Sequence, residues 1–545
     1  MENADCPTEG DPLKREQDGV ETGTVTGLRK KGVLALSKRT HWQTALFFLS
    51  LFLCLTIVFA FSFIIPCPVR PQYSVTWSRN FAGAAAAYDF LAIEDANKDK
   101  VMDVLFVIKG TEGSLNNTCG GAGLSSPCVF MVAVDGTDGE TLWERPLNSE
   151  LNWVQCGLGE DSGRSWNCLL SHSDQLSALD KQKGEVRWLQ PHPVGVRSVA
   201  PVLSVPDLDG DSVGDIALLA SDSVNTHLIF LSGKTGSQIG SSALLNSTQT
   251  ANHLLHCPSK SSYYLLLQKD TGLYGLGLWR PAAEAGLKVK LGKDKHLEKM
   301  ASMSTGLVPV YLSDSVEKVV RTNQADDSSD LLLVTAQEVV MLSGKSLQPL
   351  WSFNITSVLS EPSFGYFNKD EIRDVVIEDD AGNGTKRVVI VDGKSGRVLW
   401  EVNLLASPNS PPPACIHTTN TYSVFMIWGL FLAGRNSSVE LADHRRSYMM
   451  HPLHSQVLLE SNNTADNIVA FKATLLERGR HAAYILLTGP AMEGDKENKK
   501  SVDLSKRKLK QDVGESTVLP LGTSAVMESV EEIKEDFNRL RFSDH

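Results

Sequence analysis

The chain has 545 residues, a formal net charge of −12, an apolar fraction of 42% and a charged fraction of 21%. This composition is typical of a globular protein and excludes a wholly disordered one. The acidic excess repels phosphate, so it also excludes a generally basic nucleic-acid-binding protein.

The first predicted element is a membrane span. Residues Ala45 to Ile65 read ALFFLSLFLCLTIVFAFSFII and contain no charged side chain. A helix of this length rises about 1.5 Å per residue and spans a hydrocarbon core of roughly 30 Å. A cleaved signal peptide is the alternative, but the run is long for one and no small-residue cleavage motif follows it. We predict a single transmembrane helix over 45–65, preceded by a disordered cytosolic tail over 1–44.

Basic residues on both sides of this segment set its predicted orientation. Those before it are Arg29, Lys30, Lys31, Lys38 and Arg39, and those after it are Arg70 and Arg79. The positive-inside rule then leaves the N-terminus in the cytosol and the chain after residue 65 outside. The sequence thus predicts a single-pass type II membrane protein at the cell surface. Residence in an internal membrane is the open alternative.

Six Asn-x-Ser/Thr sequons follow the predicted span, at Asn116, Asn246, Asn354, Asn383, Asn436 and Asn462. Such sequons are modified only on a lumenal or extracellular surface. Their abundance therefore predicts a glycoprotein.

Seven cysteines also follow the span, which is an odd number. The simplest accounting pairs Cys119 with Cys128, Cys156 with Cys168, and Cys257 with Cys415, although six cysteines allow about fifteen connectivities. Cys67, two residues past the span, has no local partner. It is a candidate for an intermolecular disulfide with a membrane partner or a second copy of the chain. Palmitoylation, a free thiol and pairing within the ectodomain are the alternatives.

Two kinds of repeat appear between residues 70 and 490. The first is acidic, with copies at Asp95–Asp103 and Asp207–Asp215 and a weaker one at Tyr366–Asp374, each followed by an apolar, strand-like stretch. The second is a Gly-containing turn between two short apolar segments, usually ending near a Trp, as in Val134–Trp143 and Val391–Trp400. Glycine permits the positive φ that such hairpin turns need.

The hairpins recur about every 45 to 55 residues, a period typical of propeller blades with four short strands. We predict an all-β fold, a β-propeller of about seven blades over residues 66–490, as the ectodomain on the single transmembrane helix. An array of β-sandwiches is the alternative, because the repeats are uneven.

The acidic repeats resemble the calcium loops of FG-GAP repeats in the integrin alpha-subunit propeller. The Gly-turn hairpins resemble blades of quinoprotein-type propellers. Together with a type II anchor, these motifs resemble those of the integrin-alpha FG-GAP-repeat-containing membrane proteins of the family with sequence similarity 234. The resemblance covers nearly the whole chain and implies the propeller architecture, but it implies little about activity.

The two stronger acidic loops predict calcium sites, because Ca²⁺ takes six to eight oxygen ligands and alternate carboxylates of a tight loop converge on one ion. The candidate ligands of the first loop are Asp95, Asn97, Asp99, Asp103 and the carbonyl of Val101. Those of the second are Asp207, Asp209, Asp211, Asp215 and the carbonyl of Val213. The third loop has Tyr366 at the first ligand position and makes a poorer cage. The alternative is an Asx-rich turn that caps its own backbone.

Residues 491–545 are predicted to form a charged linker and then an amphipathic helix. Its apolar stripe contains Val526, Val530, Ile533, Phe537 and Leu540. Such a stripe either packs back on the propeller or docks on a partner.

Three functions remain open on this sequence. The first is a non-enzymatic, calcium-braced cell-surface module that binds a protein. The second is an accessory or escort subunit of a multi-pass membrane protein such as a transporter, linked through Cys67. The third, a quinoprotein-like enzyme, is disfavoured because the chain has no vicinal Cys-Cys pair and no recognisable catalytic motif.

Overall fold

The computed structural model describes most of the chain after residue 40. The described residues are 41–64, 76–111, 118–125, 127–158, 166–192, 197–221, 225–245, 253–269, 271–288, 290–407, 410–431, 446–461, 467–477, 481–489, 501–522 and 529–543. They fall into two compact units, Met1–Arg70 and Pro71–His545.

Helix α1 (His41–Ile64) belongs to the first unit and coincides with the charge-free segment apart from its last residue. Over the residues described, no helix is both long and apolar enough to span a membrane.

The second unit contains eight antiparallel sheets, which we call blades 1 to 8. Blade 1 contains β2 (Ala84–Ala85), β3 (Leu91–Glu94), β4 (Asp103–Gly110), β5 (Val129–Val134) and β6 (Thr141–Leu147). Blade 2 contains β7 (Leu151–Gln155), β8 (Cys168–His172), β9 (Gln175–Leu179) and β10 (Val186–Pro191). Blade 3 contains β11 (Arg197–Val205), β12 (Asp215–Ser221), β13 (Thr226–Leu231) and β14 (Gln238–Leu245).

Blade 4 differs by an insertion. Its strands are β15 (His253–Ser259), β16 (Ser262–Lys269), β17 (Gly272–Gly277) and β18 (Leu307–Tyr311). Two short helices, α3 (Trp279–Glu284) and α4 (Lys295–Met300), replace the turn between its last two strands; α2 (Thr118–Gly121) lies earlier, between β4 and β5. Blade 5 contains β19 (Val316–Arg321), β20 (Leu331–Thr335), β21 (Glu338–Leu342) and β22 (Pro349–Asn354).

The last three blades include the one in which the two ends of the propeller meet. Blade 6 contains β23 (Ser363–Gly365), β24 (Asp374–Gly382), β25 (Thr385–Val391) and β26 (Val398–Leu405). Blade 7 contains β27 (Ala414–His417), β28 (Ser423–Gly429), β29 (Arg446–Met450), β30 (Val457–Glu460) and, at its outer edge, β34 (Thr517–Pro520). Blade 8 contains β31 (Ile468–Glu477), β32 (His481–Thr488) and β33 (Ser501–Lys508), and its outer strand is β1 (Trp77–Ala82).

The blades pack face to face around a ring. First strands of successive blades contact one another, as in β7 with β11 and β27 with β31, and contact between β31 and β3 closes the ring. One cluster of buried side chains lies between each pair of neighbouring blades. Middle strands such as β5 and β12 are almost wholly buried, which explains their continuous apolar runs, whereas the outer strand β26 alternates buried and exposed residues. A β-propeller is therefore confirmed.

The expected count of about seven blades was wrong, and so was the expected end of the propeller at residue 490. Both errors have one cause, the segment that was interpreted as a charged linker. Strand β33 lies in that segment, and its buried Val502, Leu504 and Lys506 alternate with more exposed polar residues. Its residues Ser501–Lys506 pair with the whole of β1 and so complete an eighth blade.

The predicted C-terminal helix packs back on the propeller. Helix α6 (Val530–Arg539) buries Ile533 and Phe537, and with Leu540 these side chains join the cluster between blades 7 and 8. Phe537 lies parallel to the ring of His454, with ring centroids 6.1 Å apart. Helix α5 (Leu509–Glu515) precedes β34 and also contributes to this cluster. Val526 lies outside the described residues.

Candidate calcium loops and the two faces of the propeller

The predicted acidic loops all lie on one face of the propeller. Each joins the first strand of a blade to the second, as the loops before β4, β12 and β24 do. The Gly turns that join the third and fourth strands open on the same face, because Asp103 in the first loop contacts Gly136 in such a turn. We call this the acidic-loop face.

The second loop brings three carboxylates together. Oxygen atoms of Asp207, Asp209 and Asp215 lie within 4.8 Å of one another. Two residues with positive φ, Gly210 at 85° and Ser212 at 68°, curl the backbone so that both amides point at Asp207. Asp207 accepts from these amides at 2.6 and 2.8 Å. Three converging carboxylates in a tight loop fit a Ca²⁺ ion, and each has lone pairs beyond those used by the amides.

The charges of this loop reinforce that fit. Burial, with the nearby negative charges of Asp209 and Asp207, raises the pKa of Asp215. Burial also raises the pKa of Asp207, but the backbone amides from Gly210 and Ser212 outweigh it, so that its pKa is lowered overall. A divalent cation would relieve the repulsion among these carboxylates. Asp211 accepts the amide of Val213 at 2.8 Å at the end of the loop.

The first loop has the same backbone path but a different use of its side chains. Asp95 accepts the amides of Lys98 and Lys100, and Asp99 accepts that of Val101. The amide group of Asn97 donates to Asp99 at 3.2 Å and to Asp135 at 3.0 Å. Three carboxylates of the described residues meet within 4.8 Å only in the second loop. The second loop therefore offers the better cage of the two.

The last aspartate of each loop connects two turns of the same blade. Asp103, Asp215 and Asp374 are fully buried, and they accept the amides of Gly136, Gly233 and Gly393 at 2.9, 2.9 and 3.0 Å respectively. All three also accept amides of their own loops. Burial raises the pKa of Asp103 and of Asp374 to about 6, against the lowering effect of these amides.

A fourth member of this set was not predicted from the sequence. Asp330 accepts the amide of Gly344 at 2.7 Å in blade 5, as the other three do in blades 1, 3 and 6. Residues 322–330 read TNQADDSSD and precede the apolar strand β20. The final Asp before an apolar run was the available signal, but the earlier ligand positions hold Thr and Gln, so the pattern was not recognised.

A tryptophan from the preceding blade completes this contact. Trp77 of blade 8 donates to the carbonyl of Gly136 at 3.2 Å, and Trp351 of blade 5 donates to that of Gly393 at 2.7 Å. Neither glycine can be replaced easily, because an added Cβ would lie 1.9 Å and 2.0 Å from the carbonyl oxygens of Met102 and Arg373. The Asp–Gly–Trp contact thus links a loop, a turn and the neighbouring blade. It shows that the last aspartate of each loop has a structural role besides any metal.

Two of the three predicted disulfides are present, Cys119–Cys128 and Cys156–Cys168. The third was wrong, because Cys257 and Cys415 are free thiols. Cys257 lies in β15 of blade 4 and Cys415 in β27 of blade 7, and blades 5 and 6 separate them. Cys67 lies outside the described residues.

Two predicted glycosylation sites fall in the described part of the chain. Asn354 ends β22 and Asn383 sits between Gly382 and Gly384 at the β24–β25 turn, and both are exposed. Asn116, Asn246, Asn436 and Asn462 lie outside the described residues.

Comparison with known proteins settles the family. The family described as "FAM234A/B beta-propeller" matches residues 77–543. The chain belongs to this family. It is 36% identical to protein FAM234A of Bos taurus, with 99% of this chain and 98% of the relative covered. It is 29% identical to protein FAM234B of Mus musculus, with 97% of this chain and 86% of the relative covered. The family resemblance seen in the repeats is thereby confirmed.

Among solved structures, the chain is similar to quinohemoprotein alcohol dehydrogenase from Comamonas testosteroni. The identity is 11% and the TM-score 0.40, over 79% of this chain and 76% of that one. At this level the likeness says nothing about activity.

Proposed function

We propose that this chain is a non-enzymatic, membrane-anchored glycoprotein at the cell surface, whose calcium-braced propeller binds a protein partner. The observation that carries the proposal is the pair of disulfides Cys119–Cys128 and Cys156–Cys168 in a rigid eight-bladed propeller. Disulfides persist in secreted and lumenal domains and are rare in the cytosol. They agree with the orientation in which residues 45–65 anchor the chain and the propeller lies outside.

Calcium is proposed chiefly at the second acidic loop. Asp207, Asp209 and Asp215 would hold the ion, with Asp211 and the carbonyl of Val213 as further oxygen donors. The corresponding donors of the first loop are Asp95, Asn97, Asp99, Asp103 and the carbonyl of Val101. The bound ion would supply charge neutralisation and a cross-link between strands, and extracellular calcium at millimolar concentration fills even a weak site.

An accessory subunit of a multi-pass membrane protein is the second candidate function. Cys67 favours it, since a thiol two residues beyond the proposed span can reach a short external loop of a neighbouring protein. A covalent homodimer is the other outcome that this cysteine allows.

The test is purification of the full chain from native membranes in mild detergent, followed by mass spectrometry and by reducing and non-reducing gels. Wild type is compared with Cys67→Ser, and Cys54→Ser is the matched control within the proposed span. A stoichiometric multi-pass protein whose covalent link is lost only in Cys67→Ser establishes the accessory subunit. A stoichiometric partner without such a link supports the binding module alone. A single, unglycosylated chain with no partner would refute both.

A further inference from the structure

The insertion in blade 4 is basic, in contrast to the rest of the chain. Residues 288–299 read KVKLGKDKHLEK and contain five lysines against two acidic residues, in a chain whose formal net charge is −12. The β15–β16 turn, which this segment contacts, adds a sixth lysine. All six side chains are exposed. We call them the lysine platform, and they are Lys260, Lys288, Lys290, Lys293, Lys295 and Lys299.

Hydrogen bonds hold this segment against the strands of blade 4. The amide of Gly292 donates to the carbonyl of Ser261 at 2.8 Å, which joins the segment to the turn that carries Lys260. Asp294 accepts the hydroxyl of Ser259 at 2.8 Å, and its other oxygen caps helix α4. The lysines therefore project from a fixed support, so a ligand bound there would order little backbone.

The apolar side chains of the same segment pack inward. Leu297 is fully buried in the cluster between blades 4 and 5, and Leu291 packs against the cluster between blades 3 and 4. Among the large apolar side chains of residues 288–299 that the structure describes, none is exposed. The outer surface of the segment thus consists mainly of ammonium groups. Without apolar side chains to insert into a bilayer, such a surface favours a soluble polyanion over a membrane.

The acidic residues of the segment do not neutralise its lysines. One of them caps α4, and the other, Glu298, accepts the hydroxyl of Tyr264 at 3.1 Å. Glu298 also accepts the indole N–H of Trp279 at 3.0 Å and pairs with Arg280 at 3.2 Å. Within the described part of the chain, no lysine of the platform forms an ion pair with a carboxylate. The Nζ of Lys293 lies 3.4 Å from the centre of the Trp279 ring, which leaves its charge uncompensated.

Like charges therefore lie side by side on the platform. Lys295 and Lys299 are four residues apart in α4, on the same side of the helix, where two positive charges repel each other. A polyanion that bridges them relieves this repulsion and gains affinity from the counterions that are released. Because every cation of the platform is a lysine, it recognises charge rather than the bidentate geometry that arginine selects. The acidic remainder of the surface repels the same polymer and confines it to the platform.

We propose that the lysine platform of blade 4 binds a sulfated polysaccharide of the cell surface. The inference rests on the proposed function only for the location of the propeller outside the cell, where sulfated glycans are abundant polyanions. Lysine-rich segments of this length are typical of heparin-binding patches.

Heparin is the probe, and chemically desulfated heparin, which keeps its carboxylates, is the comparison polymer. The full chain is purified in mild detergent, and its affinity for each immobilised polymer is measured as a function of salt concentration. The variant Lys290→Gln/Lys295→Gln/Lys299→Gln removes three charges of the platform. These side chains are exposed and Gln is a good helix former, so we expect an unchanged thermal midpoint.

The matched control removes three exposed lysines from the Gly turns of blades 2, 5 and 6, on the same face of the propeller. It is Lys183→Gln/Lys345→Gln/Lys394→Gln. We expect salt-sensitive heparin binding by the wild type and by the control, and at least about tenfold weaker binding by the platform variant. Desulfated heparin should not bind.

Lysine acetylation of the wild type tests the same surface without a substitution. The chain is labelled with and without bound heparin, and modified peptides are quantified by mass spectrometry. Heparin should protect the platform lysines and leave Lys183, Lys345 and Lys394 as reactive as before.

Several results would overturn the inference. They are equal loss of heparin binding in the control, platform lysines that heparin leaves unprotected, and equally tight binding of desulfated heparin. Equally tight binding of polyglutamate would assign the platform to an acidic protein segment instead. Surface biotinylation of intact cells separates these failures from failure of the proposed function. A chain that the reagent does not reach is not at the cell surface, whereas a labelled chain that does not bind heparin refutes the platform alone.

Discussion

Replacing Gly393 by Ala tests the contact between blades 5 and 6 directly. An ideal Cβ at this position would lie 2.0 Å from the carbonyl oxygen of Arg373 and 3.2 Å from Cγ2 of Ile372. The first neighbour is backbone and cannot rotate away, so the turn must move by about an ångström to restore ordinary contact distances. That movement would break the bond from the Gly393 amide to Asp374, at 3.0 Å, and the bond from Trp351, at 2.7 Å.

The expected loss can be worked out from these contacts. Overpacking a well-packed site costs about 1–3 kcal/mol, and each of the two broken hydrogen bonds costs about 1–3 kcal/mol, so we expect a loss of about 3–9 kcal/mol in all. Unfolding entropy is about 2 cal/mol/K per residue, so the unfolding midpoint of a propeller of this size falls by about 3–9 °C. Trp351→Phe removes one donor and should lower the midpoint by about 1–2 °C.

Differential scanning fluorimetry of the purified full chain measures these shifts. Gly514→Ala is the matched control, because no heavy atom lies within 4 Å of its added Cβ and it lies in helix α5. We expect that variant to stay within about 1 °C of wild type or to rise slightly, since Ala favours a helix over Gly. A Gly393→Ala chain with the same thermal midpoint as the control would refute the reasoning, because the turn would then move without a cost in stability.

Three further predictions concern metal, pH and the C-terminal helix. Asp209→Asn should remove the stabilisation by calcium, which is about 1.4 kcal/mol at a calcium concentration ten times the dissociation constant. Asp370→Asn should keep this stabilisation. Thermal midpoints measured with and without EDTA check both expectations. Burial raises the pKa of Asp374 to about 6 in the folded protein, whereas an Asp in the unfolded chain titrates near 4. The folded state therefore holds this proton more tightly, and up to about 3 kcal/mol of stability present at pH 4 is lost as the pH rises through 6. Asp374→Asn should lack that component, which midpoints across this pH window reveal. Phe537→Ala should cost about 3–5 kcal/mol in denaturant unfolding, and the exposed Val530→Ala under about 0.5 kcal/mol, because only Phe537 is buried.

The Gly-turn repeats located five of the eight blades, and the length of the region predicted about seven in all. Blades 1, 2, 3, 5 and 6 contain a Gly-turn hairpin that can be read from the chain. In blade 4 that turn is replaced by the segment with α3 and α4, and in blade 7 the corresponding position holds a short 3₁₀ helix at Pro452–His454. Blade 8 joins the two ends of the propeller, since Trp77 in β1 pairs with Lys506 in β33. A pairing between residues so far apart in the sequence leaves no local sequence pattern.

The candidate site was predictable in position but not in detail. Alternation of acidic residues located the loops, because that spacing can be read directly from the sequence. It could not show that Asp103 and Asp215 each hold a Gly turn, since Gly136 and Gly233 lie more than a strand away. Nor could cysteine counting exclude the pair of Cys257 and Cys415, because the count contains no information about which blades are neighbours.

The contrast between the two faces follows from the same physical constraint. On the acidic-loop face, the turns of blades 1, 3 and 6 each present a glycine amide to an aspartate and a glycine carbonyl to a tryptophan, so their length and conformation are fixed. On the opposite face, the turn at Asn383 stands clear of its surroundings, since no heavy atom lies within 4 Å of a Cβ added to Gly382 or Gly384. Connections that carry no packing role tolerate insertions and bulky modification. A surface whose turns are fixed by buried contacts is pre-organised and loses little entropy on binding. The contacts that hold neighbouring blades together therefore also fix the conformation of these three turns.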